Sequence, residues 1–112
     1  MSLSDSSKLA PSIWSNEDFR DVFEASLGFF KNSASTQVAS VELYKSTVYK
    51  GMLFDYLNTT NTPKELHWFI MRLNDMSNPD EFGPQHTTLL IPSDVDLDKL
   101  RVQYNTTVSL SR

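Results

Sequence analysis

Proton transfer or metal binding would fall first to the two histidines of this chain, His67 and His86. They stand nineteen positions apart, without the i, i+4 spacing that sets two imidazoles on one side of a metal ion. Asp94, Asp96 and Asp98 alternate like the opening of a calcium loop, yet the glycine and the glutamate needed further along are missing. A solvated turn leading into a helix is the plainer reading of that run. Asn58-Thr59-Thr60 and Asn105-Thr106-Thr107 match a glycosylation acceptor, but they lie in turn-forming stretches and no secretory leader is readable at Met1 to Pro11. Three glycines, two histidines and no cysteine leave no phosphate-cradling loop, nucleophile elbow or thiolate metal site. The expectation is a non-catalytic chain with no metal and no cofactor.

The elements that would position any working residue must share one core, because 112 residues suffice for one domain and not for two. An apolar fraction of 39%, with 12% aromatic and 21% charged residues, is that of a folded globular chain. Ten basic against fourteen acidic side chains give a net charge of −4, with no Lys/Arg cluster to track a phosphate backbone. Nucleic acid is excluded as a partner on that ground. No apolar run approaches the roughly eighteen residues of a membrane span, so no membrane partner is expected either.

Residues 1 to 13 read as a flexible arm ending at Pro11, Ile13 and Trp14. Phe19, Val22, Phe23, Ser26 and Phe30 recur at helical spacing behind a capping Ser15, which predicts a helix over 16–30. The polar stretch Lys31 to Ser40 reads as a joint. Val41 to Tyr49 alternates and is rich in β-branched and aromatic residues, predicting a strand, and Met52 to Leu57 predicts a brief helix. Thr62-Pro63-Lys64-Glu65 has the form of a hydroxyl cap, a proline in the first turn and a glutamate, so a helix is predicted from Pro63 to Asn74. Its stripe is Leu66, Phe69, Ile70 and Leu73, with His67, Trp68, Met71 and Arg72 on the other side. Thr87 to Pro92 predicts a short strand, Asp94 to Leu100 one further helical turn, and Gln103 onward a polar, β-prone tail.

Strand, short helix, capped helix, a loop with Asn78-Pro79 and Gly83-Pro84, and a strand closing on Leu89-Leu90-Ile91-Pro92 resemble a LysM domain. Tyr49-Lys50-Gly51, Leu53 to Leu57 and Leu66 to Asn74 carry the local matches. The resemblance implies an α+β fold: a βααβ unit over 41–100, with a two-stranded antiparallel sheet under two helices. An N-terminal arm and amphipathic helix occupy 1–40 and a tail 101–112. The aromatic-rich Leu66 to Met71 is similar to LysM-like segments of contractile-tailed phage baseplates, in wedge and hub proteins. That likeness implies a structural adaptor made in the host cytoplasm and built into the virion tail, docking other baseplate proteins. A second implication is binding of peptidoglycan or chitin, with Lys50, Gly51 and Met52 facing Asn78, Pro79, Asp80 and Phe82 across a groove. Against it, Met52-Leu53 stands where sugar-binding LysM domains usually carry an acidic residue and a threonine.

Among the aromatics, Phe54, Tyr56, Phe69 and Phe82 are expected in the core. Trp68 lies about 200° from Leu66 around the predicted helix, beside Met71, so either the N-terminal helix or another protein must cover it. Trp14, Phe19, Phe23, Trp68 and Met71 are accordingly the candidate partner-binding residues.

Overall fold

The computed structural model describes residues 11–110. Six α-helices and two strands follow in the order α1 (Glu17–Ala25), α2 (Leu27–Asn32), β1 (Gln37–Ser40), α3 (Leu43–Val48), α4 (Leu53–Thr59), α5 (His67–Leu73), β2 (Thr88–Ile91) and α6 (Asp94–Leu110). Short 3-10 turns occupy Pro11–Ser15, Lys64–Leu66 and Pro79–Glu81. The class is α+β, with one two-stranded antiparallel sheet. Most of the expected arm, residues 1–10, lies outside the described residues, as do the last two of the tail.

The predicted N-terminal helix is present but broken. Asn16, not Ser15, caps it: Asn16 Oδ1 accepts from Phe19 N at 2.9 Å, and Glu17 and Asp18 occupy the first turn where acidic charge suits the helix dipole. Ser26 leaves helical geometry and its hydroxyl donates to the Val22 carbonyl at 2.9 Å, which ends α1 and starts α2. Phe19, Phe23 and Phe30 nevertheless all point inward.

Three expectations are corrected. The first strand is not Val41–Tyr49 but Gln37–Ser40, inside the stretch read as a joint, and residues 43–48 are helical. Neither alternate set of Val41–Tyr49 is wholly apolar, so a strand there would gain little from either face, whereas helix bonds are satisfied locally. Ser46 N reaches the Glu42 carbonyl at 3.0 Å and Tyr49 N the Lys45 carbonyl at 2.9 Å. Meanwhile β2 is already paired, from Gln37↔Ile91 to Ser40↔Thr88, and Val41 N closes the ladder on the Thr87 carbonyl at 2.9 Å.

Second, Thr62 caps no helix: its hydroxyl meets that of Thr60 at 2.7 Å, and α5 begins only at His67, after the 3-10 turn. The chain's capping box is at Asn78, whose Oδ1 accepts from Asp80 N while Glu81 reaches back to Asn78 N at 3.0 Å. Third, α6 runs on to Leu110 where a polar tail was expected, because Leu97, Leu100 and Tyr104 share one inward side at three- and four-residue spacing. Ser93 Oγ starts that helix by accepting from Asp96 N at 3.0 Å.

The core has two apolar clusters, and α5 divides them. Ile70 and Met71 pack with Val41, Leu53, Tyr56, Leu57 and Leu89 on one side. Phe69 and Leu73 pack with Trp14, Phe19, Phe23, Leu97 and Leu100 on the other. A helix buried on both sides carries apolar residues all round, which is why Met71 lies inside and not opposite the stripe. At the end of α5 the Asn74 amide clasps β2: its Oδ1 accepts from Leu90 N at 2.7 Å and its Nδ2 donates to the Leu90 carbonyl at 2.9 Å. Asn74→Ala strands both backbone groups and is expected to cost about 1–3 kcal/mol, read as a lower midpoint in urea unfolding. A cost near zero would mean that water replaces the clasp without loss.

Candidate functional site

The five expected anchors are mostly spent on the chain's own core. Phe19 and Phe23 are fully buried, Met71 nearly so, and Trp14 is only 8% exposed. Trp14 meets Phe19 and Phe69 edge-on, each at 5.7 Å between ring centroids, and its buried indole Nε1 has no hydrogen-bond partner among the described residues. These four therefore offer no docking surface in the folded chain: Trp14, Phe19 and Phe23 pack with Phe69, Leu73, Leu97 and Leu100, and Met71 packs with Leu53, Leu57 and Leu89 on the other side of α5. Trp68 is half-buried, and the choice left open by the sequence goes to the N-terminal helix: Phe23 of α1 lies 6.0 Å away and the Arg20 guanidinium sits over the indole at 4.7 Å. Both partners come from α1, three residues and so about one turn apart.

Beside this stacked pair, Arg20, Phe54, Asn58, Lys64, His67 and Trp68 line an open cleft of about 370 Å³. His67 is occupied structurally, its Nε2 meeting the Thr62 carbonyl at 3.0 Å and its ring lying 5.5 Å from Phe54. His86 Nδ1 accepts from Gly83 N at 3.3 Å and its ring stacks on Phe82 at 5.6 Å. Asp96 accepts from Ser33 Oγ, and Asp98 pairs with Arg101, both at 2.6 Å. Among the described residues no three His, Asp or Glu side chains gather as a metal site.

The residues named for a glycan groove are brought together, but as a closed seam. Gly51, at φ 76°, donates its N–H to the Phe82 carbonyl at 2.7 Å, and a side chain at Gly51 would meet the Asp80 carbonyl at 3.7 Å. Phe82 is buried and stacked between Tyr56 and His86, so its faces are already covered. Lys50, Met52, Asn78 and Asp80 remain exposed around this seam, and Pro79 is half-buried.

What sequence reasoning missed is the outward face of α3. Of its six residues only Ser46 is buried, while Leu43 is 68% and Tyr44 74% exposed and Val48 projects as well. Leu43 and Thr47, and Tyr44 and Val48, are i, i+4 pairs, so these four make one continuous side of the helix. Met52, at the corner into α4, is exposed too. This is an amphipathic helix with its apolar side out. The signal was present in the sequence as Leu43-Tyr44 followed at helical spacing by Val48, and the competing alternation concealed it.

Among the described residues no helix is long and apolar enough to cross a membrane. No protein-family model, no curated protein and no solved structure matches this chain.

Proposed function

We propose that this chain is a non-catalytic assembly adaptor that docks a neighbouring protein on the outward face of α3. The observation that carries the reading is the inverted amphipathicity of that helix: Leu43, Tyr44 and Val48 face water and Ser46 faces the core. Scattered exposed apolar residues are ordinary on monomers, whereas one helix side assembled from them is the form of a protein-binding surface. Within the LysM-like reading the two expected helices correspond to α4 and α5, which build the core. The additional helix α3 contributes one small polar residue to that core and its apolar residues to the outside. The sequence resemblance assigns the partner to a contractile phage tail baseplate, where such a module joins wedge and hub subunits as part of the virion.

The test is co-expression with the products of adjacent tail genes, followed by gradient sedimentation of the complex. A Leu43→Asp/Tyr44→Asp double variant is expected to weaken association at least about 30-fold, as loss of central apolar anchors does, with an unchanged unfolding midpoint. Association as tight as that of the unsubstituted chain would remove the α3 face from consideration. In a second arm the chain is expected to pass through insoluble peptidoglycan, given the closed seam at Gly51 and Phe82. Retention that chitooligosaccharide competes away would replace the adaptor reading with a glycan-binding one.

A further inference from the structure

We infer that the free edge of β1 pairs with the same edge of a second copy of this chain, forming a four-stranded antiparallel sheet across a two-fold axis at Ala39. The argument begins with the direction of the backbone groups. The Leu90 N–H and C=O both go to the Asn74 side chain, on the side of β2 away from β1. Leu90 and its partner Val38 are thus a non-hydrogen-bonded pair of the antiparallel ladder. By alternation, Gln37, Ala39 and Val41 bond to β2, and the N–H and C=O of Val38 and Ser40 point outward. Among the described residues nothing meets them.

One edge of the sheet is therefore closed by Asn74 and the other is left open. Exposed edges are ordinarily blunted by lysine, proline, a bulge or a covering element, and among the described residues β1 has none of these. All four of its residues, Gln37, Val38, Ala39 and Ser40, are exposed, so both faces leave room for a neighbouring strand. Only another extended backbone offers donors and acceptors at the spacing of Val38 and Ser40.

The occupant follows from symmetry and charge. With the axis at Ala39, Val38 of one copy faces Ser40 of the other, and each of these two pairs exchanges two N–H···O bonds. The strands are small-sided and carry no ionised side chain from Ser33 to Val41, so two copies of a chain with net charge −4 can meet here without like charges opposed. Glu42, the first charge beyond, would face Thr36 and not its own copy. The contact is small, which makes it a weak and concentration-dependent dimer. It stands apart from whatever the α3 face docks.

Sedimentation equilibrium on the purified chain up to about 1 mM, a range that detects even weak association, is expected to show reversible dimers. Amide exchange at Val38 and Ser40 should slow as concentration rises. Ala39→Glu sets two carboxylates face to face on the axis and is expected to weaken self-association at least tenfold, as is Ala39→Lys. Ala39 is exposed, so both variants should keep the circular dichroism of the parent. An equimolar mixture of the two variants is expected to associate again, because opposite charges then meet. A parent that stays monomeric to about 1 mM, variants that dimerise unchanged, or a mixture that does not recover would each overturn the pairing.

Discussion

Phe69→Ala is expected to cost about 3–5 kcal/mol. Phe69 is fully buried on α5, with Trp14 at 5.7 Å, Phe19 at 5.9 Å, Phe23 at 4.9 Å and Trp68 at 5.1 Å between ring centroids. Its neighbours come from the N-terminal 3-10 turn, from α1 and from α5 itself, so no single movement closes the space that the ring leaves. The lost transfer energy and the residual cavity add, and so do the edge-to-face contacts. Against a total stability of about 5–15 kcal/mol, this loss takes much of the margin. Urea unfolding measures it, and a cost below about 1 kcal/mol would mean that α1 does not rest on α5 in solution.

Trp68→Ala is expected to cost about 3 kcal/mol, at the lower end for a tryptophan because the ring is half-buried. Trp68 touches both apolar clusters, and its truncation also removes the seat of the Arg20 guanidinium and the contact with Phe23. A tryptophan held for a partner would behave in the opposite way, leaving the isolated chain as stable as before and weakening only association. Measuring unfolding and association on the same variant separates the two roles. An unfolding midpoint equal to the parent's, with lost association, would return Trp68 to the partner surface. Arg20→Ala serves as a graded control, since it removes the cation and keeps the ring.

Where the bonding and packing of an element are local, it was legible in the residues. The Phe-rich helix after Asn16 announced itself through its acidic first turn and its three- and four-residue spacing. The strand at Thr88–Ile91 did so through a short apolar run stopped by Pro92, and the chemistry of α5 through a run of large apolar residues. The α+β class was what the resemblance implied, and the structure has it with its first strand at Gln37–Ser40 and not at Val41–Tyr49.

Other features turned on competition between elements far apart in the chain. Val41–Tyr49 looks like a strand until one asks which segment pairs with β2, and that place goes to Gln37–Ser40, whose composition alone suggests a joint. Once paired there, the chain after Val41 can satisfy its backbone only by coiling, and α3 results with its apolar side outward. Thr62 has the form of a cap, but its hydroxyl is held by Thr60 and the helix starts later.

Composition by itself determined that this is a folded globular chain rich in aromatic side chains. Which aromatics are core and which are surface was decided only by the tertiary structure. Trp14, Phe19 and Phe23 turn inward because α5 presents Phe69 and Leu73 to them, and Tyr44 stays outward because none of the described residues covers it. Helical spacing tells which residues share a side of a helix, but burial depends on what that side meets, and here the meeting partners are separated by tens of residues.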